Sequence, residues 1–306
     1  MVDMRGDLGR IHVSVGISIK KPNIILEVEK SDRLEFYGQR AERVREYAEK
    51  IMRYVGIKKS LKFNLVSDIP EHAGFGSGTQ LALAVGASVS KIFNLNLNPE
   101  NVAFILNRSR RSGVGVYAFK NGGFIVDGGH RTAAPNHVPH LLFRSDVPED
   151  WMFVVGLPKI KSGLSGIKEA EVFKKLEPPS KELVGEVSRI VLVQMIPAII
   201  DRDIELFGEA MTGLDSMFGL YWERIQGGRH THPVIEEGIN FLLDRGAYGA
   251  GQSSWGPAFY GLIKGEVKAN KLKNELFDFL NSGGKTGAAF YTGADNQGAS
   301  IITTQD

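Results

Sequence analysis

The chain has 306 residues, 42% of them hydrophobic and 24% charged, with a formal net charge of +2. That is ordinary globular usage over a length that commonly splits into two domains, and it leaves no overall basic field to attract nucleic acid. There are no cysteines, which excludes a disulfide framework, a thiolate zinc site and a cysteine nucleophile.

The N-terminus carries no apolar signal core. No segment reads as approaching the ~20 apolar residues that cross a bilayer, so a cytoplasmic chain with no membrane association is expected. In chain order, Ile11–Ile19 and Ile24–Val28 read as strands joined by the turn Lys20-Lys-Pro-Asn23. An amphipathic helix follows near Glu42–Val55, with Val44, Tyr47, Ala48, Ile51, Met52 and Val55 on one face. Leu61, Phe63 and Leu65 alternate with polar neighbours as a half-buried strand does, and Leu81, Val85 and Ser88 suit a closely packed helix. Asn98 and Pro99 supply a cap and first residue for a helix through Asn107, after which glycine-rich strands are expected to Gly129. Pro135, Pro139 and Pro148 punctuate a connector, and Trp151–Val155 restarts a buried strand. The expected domains are therefore residues 1–148 and 149–306. In the second, Lys181–Gly213 reads as a long helix interrupted at Pro197, Pro233–Arg245 as another helix, and Ala258–Ile263 as a strand.

The most informative stretch is Pro70-Glu-His-Ala-Gly74-Phe75-Gly76-Ser77-Gly78-Thr79-Gln80, set between a strand and a helix. Glycines there let the backbone turn its N–H groups toward a ligand, and a helix N-terminus adds unpaired donors and partial positive charge. A phosphate or diphosphate is the natural occupant. The spacing is neither that of Walker A nor the Gly-x-Gly-x-x-Gly of dinucleotide folds.

Pro70, Gly74, Gly76 and Ser77 resemble by position the P-x-x-x-G-L-G-S-S-A motif of the GHMP superfamily of small-molecule kinases. Two kinase side chains are replaced: the second serine falls on Gly78, and the aspartate of Ser-Gly-Val-Asp falls on Gly115 of Ser112-Gly-Val-Gly115. Glycine can neither ligate a metal through a side chain nor orient an attacking hydroxyl, so ordinary kinase activity is not expected. Three stretches, Glu71–Gln80, Arg111–His130 and Gly246–Gly261 with its Gly251-Gln-Ser-Ser-Trp-Gly-Pro257, resemble instead the non-kinase β-ribofuranosylaminobenzene 5′-phosphate synthase family of archaeal methanopterin biosynthesis.

That resemblance implies an α+β, two-domain GHMP fold, S5-like then ferredoxin-like. It implies decarboxylating phosphoribosyl transfer from 5-phospho-α-D-ribose 1-diphosphate to 4-aminobenzoate or 4-hydroxybenzoate, with Mg²⁺, in a homodimer. It also implies an opening strand with Pro-x-Arg-x-His, which this sequence does not show, so a misassigned start is an expectation. The alternatives are an atypical ATP-dependent kinase using Asp127, and a silent phosphometabolite-binding protein.

The expected phosphate or diphosphate ligands are Gly74, Gly76, Ser77, Gly78, Thr79, Gln80 and Arg111. Arg111 is preferred within the Arg108-Ser-Arg110-Arg111 cluster as a guanidinium clamp, against the plain reading of cations at a helix end. The expected substrate contacts are Ser112, Gly113, Gly251, Gln252, Ser253, Ser254 and Trp255, the last either stacking on an aromatic ring or filling a domain interface. Asp127, the catalytic candidate, could equally cap a turn or hold Mg²⁺ or a ribose hydroxyl. His72 could donate to an anion. His130, His137 and His140 read as solvated loop histidines rather than metal ligands, and His230 and His232 as neighbours of a helix starting at Pro233.

Overall fold

A computed structural model describes residues 1–133, 137–160 and 177–304. Pro135 of the expected connector lies outside the described residues. In the first half, strands β1 (Arg10–Ile11), β2 (Ser14–Ile17), β3 (Ile25–Lys30) and β4 (Glu35–Tyr37) precede helix α1 (Ala41–Val55), strand β5 (Leu61–Ser67) and helix α2 (Ser77–Ile92). Helices α3 (Pro99–Ile105) and α4 (Val114–Asn121) then lead to β6 (Phe124–Asp127), β7 (His130–Arg131) and β8 (Leu141–Ser145).

Period decides these elements where it is regular. Val44, Tyr47, Ala48, Ile51 and Met52 are buried along α1, and Leu61, Phe63 and Leu65 along β5, so helix and strand meet through their apolar faces. Gly56 ends α1 in the left-handed region, and Asn98 caps α3 in a reciprocal capping box with Asn101.

Two expectations for this half are corrected. The segments around Ile11–Ile19 and Ile24–Val28 do not form neighbouring strands: β2 pairs with β6, whereas β3 pairs with β5 in a different sheet. His12, with φ of 66°, also breaks the first of them. The glycine-rich region after Asn107 is not all strand, because Val114–Asn121 is a helix. Its glycines are packing choices, since a Cβ on Gly113 would press on Tyr117 at 3.2 Å and one on Gly115 on Thr79 at 3.2 Å. Across from α4, a Cβ on Gly16 of β2 would stand 2.5 Å from Val114, so the missing side chain there lets α4 lie on the sheet.

The second half is an antiparallel sheet ordered β10-β11-β9-β12, made by Gly249–Gln252, Phe259–Lys264, Trp151–Pro158 and Gly287–Gly293. Its helices are α5 (Lys181–Arg189), continued by a π-helical segment Ile190–Met195 into α6 (Ile196–Asp201), then α7 (Ile204–Gln226), α8 (Pro233–Asp244) and α9 (Glu266–Leu280). The expected helix Lys181–Gly213 is thus two helices, and the break is at Arg202, in the left-handed conformation, rather than at Pro197. Proline has no N–H and crowds the carbonyl four residues back; the π segment ends at Met195, two residues before Pro197. Lys181–Asp201 is also long and apolar enough, by length and composition, to cross a membrane, which corrects the expectation that no such run exists.

The halves share packing. Phe124 and Val126 of β6 lie in one buried cluster with Trp151, Phe153 and Val155 of β9 and Phe207 of α7. Gly123 N–H donates to Asp295 O and Asp295 N–H to Ser18 O, joining the end of β12 to the first-half sheet.

Candidate active site

The Pro70–Gln80 loop is held from behind. Arg40, 8% exposed, pairs with Asp68 at the end of β5 and reaches Glu71 in the loop at 3.3 Å. The loop then turns through Gly74 and Gly76, both at positive φ, into α2. No side chain caps α2, whose cap residue is Gly76 in the left-handed region. An uncapped helix start leaves N–H donors for an anion.

The third glycine loop closes on the first. Ser253 Oγ donates to Gly74 O at 3.0 Å, and a Cβ on Gly74 would lie 2.1 Å from Ser253 O. From the other side, a Cβ on Gly256 would lie 2.1 Å from the Ala73 carbonyl carbon. Gly74 therefore admits the backbone of the facing loop rather than a ligand. Gly76, with nothing near its missing Cβ, stays open.

At Gly78 the vacant side-chain position is taken by another residue. A Cβ there would stand 2.5 Å from Arg108 Nη2. Arg108 Nε is buried without a hydrogen-bond partner, and Arg108 lines the same cleft as Gly74–Gln80. A cation set against a helix N-terminus is repelled by the dipole unless an anion joins them. The arginine that the loop accommodates is thus Arg108; Arg111 also lines the cleft. At Gly115, Gln80 Nε2 donates to the carbonyl at 2.8 Å, and a Cβ would press on Thr79 at 3.2 Å. No carboxylate occupies that position.

Asp127 is fully buried. Its Oδ2 accepts from Gly113 N–H at 2.8 Å and Ser112 Oγ at 3.2 Å, and its Oδ1 from Gly129 N–H at 2.9 Å. Burial pushes its carboxyl above the usual carboxylate range, against those hydrogen bonds and the nearby His130. Ser112 and Gly113 are therefore turned toward Asp127, and Asp127 fixes the loop before α4.

The histidines divide sharply. His72, His137, His140 and His232 are exposed, and His232 caps α8 by accepting from Val234 N–H. His130 and His230 are not solvated, being 3% and 8% exposed. His130 has both ring nitrogens buried without partners, with His12 beside it at 6.4 Å between ring centroids. Burial, then the positive potential of His130 and Arg111, lowers the His12 pKa from 6.5 to about 4. Between those values the unfolded chain binds a proton that the folded chain refuses, so stability falls as pH drops from about 6.5 to 4. A His12→Gln variant is expected to show a shallower loss of melting temperature over that window.

His230 belongs to a constellation that linear reading missed. Its Nε2 lies 2.8 Å from Asp215 Oδ2, while Asp215 Oδ1 accepts Gln252 N–H at 2.7 Å. Gln252 Nε2 donates to Thr231 Oγ1 and to Gly256 O, so this side chain ties the third loop to the His230 turn. A Cβ on Gly251 would press on Asp215 at 3.0 Å. Ser254 is exposed at positive φ, and Trp255 meets Trp222 of α7 edge to face at 4.6 Å.

The matching family models are "GHMP kinases N terminal domain" over residues 42–123 and "GHMP kinases C terminal" over residues 195–282. The beta-ribofuranosylphenol 5′-phosphate synthase of Methanothermobacter thermautotrophicus is 32% identical, across 99% of this chain and 95% of that protein. The chain belongs to the beta-ribofuranosylphenol 5′-phosphate synthase family. The Methanocaldococcus jannaschii member is 31% identical, across 98% of this chain and 96% of that protein.

Among solved structures, homoserine kinase from Cytophaga hutchinsonii superposes with a TM-score of 0.69 at 16% identity, covering 95% of this chain and 92% of its own. Methanococcus jannaschii mevalonate kinase gives 0.65 at 15% identity, covering 96% and 95%. These kinases share the fold; the synthase family shares the sequence. The α+β GHMP expectation therefore holds, and the replacements at Gly78 and Gly115 are found in a member of a synthase family.

Proposed function

We propose that the protein is a pentosyltransferase that moves phosphoribose from 5-phospho-α-D-ribose 1-diphosphate onto a para-substituted benzoate, with loss of CO₂ and diphosphate. The relatives' name specifies a phenol product, so 4-hydroxybenzoate is the first acceptor and 4-aminobenzoate the second. The step is one of methanopterin biosynthesis. The observation that carries this reading is the paired loss of kinase side chains, with Arg108 at Gly78 and no carboxylate at Gly115.

Departure of diphosphate needs charge stabilisation, not a base for a hydroxyl nucleophile. The open N-terminus of α2, the Gly76–Gln80 backbone, Arg108 and Arg111 would supply it. The kinase alternative requires a carboxylate to orient the attacking hydroxyl. Asp127 does not serve, because its oxygens are engaged by Ser112, Gly113 and Gly129. Its part here is to position the second loop.

The Mg²⁺ implied by the resemblance does not fit a protein cage. Among the described residues no group of three or more acidic or histidine side chains could hold a metal. A magnesium ion carried on the diphosphate would belong to the substrate. A cytoplasmic homodimer is part of the same proposal, and light scattering on the eluted protein tests the dimer.

The deciding experiment incubates the protein with phosphoribosyl diphosphate, Mg²⁺ and carboxyl-labelled 4-hydroxybenzoate or 4-aminobenzoate. Labelled CO₂ together with the riboside phosphate by mass is the expected result. ATP turnover without phosphoribosyl diphosphate would support the kinase. Tight binding with no turnover would support the silent binder.

A further inference from the structure

On α7, Met211, Leu214, Asp215, Phe218 and Trp222 recur at helical spacing and all line the cleft. The face is apolar and aromatic except for one carboxylate, and Trp255 meets Trp222 to continue the wall. The carboxylate is not idle: Asp215 holds His230 through Nε2 and the third loop through Gln252 N–H. A carboxylate oxygen can only accept, so the imidazole proton on this side is assigned to Nε2 and Nδ1 is left as the acceptor nitrogen. Nδ1 is enclosed and has no protein partner. From Gln252 the chain passes directly to Ser253, which touches the phosphate loop at Gly74.

Resting on the proposed phosphoribosyl transfer, we infer that this lobe seats the aromatic acceptor, and that the Asp215–His230 couple takes the proton of its para-hydroxyl. The C1′–oxygen bond to diphosphate breaks and its electron pair leaves on the diphosphate. The ring carbon bearing the carboxylate bonds to C1′ while the phenol proton moves to His230 Nδ1, leaving the ring as a dienone. The bond to the carboxylate then breaks, its electron pair returns to the ring as CO₂ departs, and His230 returns the proton to the oxygen. Asp215 stabilises the transient imidazolium. An amino group pushes electrons into the ring without first losing a proton, so 4-aminobenzoate does not need the couple.

The test compares wild type, His230→Gln and Asp215→Asn with both acceptors and saturating phosphoribosyl diphosphate. Asp215→Asn presents an N–H to Nε2 and so favours the tautomer that lacks an acceptor at Nδ1. The expected result is a loss of kcat with 4-hydroxybenzoate that exceeds the loss with 4-aminobenzoate by about 100-fold or more. A second arm offers His230→Gln the acceptor 3,5-difluoro-4-hydroxybenzoate, whose more acidic hydroxyl is ionised without help, and the rate is expected to recover. Equal losses with both acceptors, or no loss with either, would overturn the inference while leaving the phosphoribosyl transfer intact. Absence of turnover by wild type with either acceptor would overturn both.

Discussion

Gly78→Ser is expected to weaken binding of phosphoribosyl diphosphate, and of diphosphate itself, by about 10–100-fold while the protein stays folded. The new Cβ would stand 2.5 Å from Arg108 Nη2. That atom is the far end of a flexible side chain, so the guanidinium moves aside at little cost to the fold. What is lost is its place at the helix N-terminus, where a charge-assisted hydrogen bond is worth about 1.5–3 kcal/mol. Arg108→Ala should cost about the same. The double variant should be no worse than Arg108→Ala alone, because the serine then displaces nothing. Calorimetric titration with diphosphate reads this without any turnover. Additive losses would show that Gly78 acts through its own backbone and that Arg108 has no special place there.

Gly256→Ala and Gly74→Ala are expected to be the most destabilising conservative changes in the site, each by about 2–5 kcal/mol from overpacking and backbone strain. In both, the added methyl meets backbone at 2.1 Å, which cannot rotate away. Gly74 also sits at φ of 97°. To admit the methyl, the first and third glycine loops must separate, and the hydrogen bond from Ser253 to Gly74 O is lost with them. Gly76→Ala is the control: it has the same left-handed tendency but open space around the missing Cβ, so about 1 kcal/mol is expected. Chemical denaturation of the three variants checks the order. Equal losses would mean that backbone conformation, not contact between the loops, sets the cost.

Local patterns were legible because they are fixed within a few residues. The Leu61–Gln80 strand–loop–helix, the buried face of α1 and the Asn98-Pro99 start each rest on spacing or capping that any surrounding fold preserves. The same reasoning failed where distant residues decided. Alternating apolar residues over Ile11–Ile19 and Ile24–Val28 say that strands form, but not with which partner, and the partners came from Phe124–Asp127 and Leu61–Ser67. Glycines at 113 and 115 read as loop or strand, yet they serve helix packing against Tyr117, Pro139 and Thr79.

The site divides the same way. By itself the sequence determined the glycine loop between β5 and α2 and the lack of a carboxylate at position 115, because a glycine has no side chain in any fold. Only the tertiary structure decided that Arg108 rather than Arg111 fills the space at Gly78, and that the first and third loops are in backbone contact. It alone joined Asp215 to His230. A helix face with one carboxylate among apolar residues was a visible signal for Asp215, but its partner lies beyond the end of α7, on a turn whose placement depends on Gln252 and Thr231. Side-chain direction and burial at such positions are set by contacts between elements, and sequence spacing does not encode them.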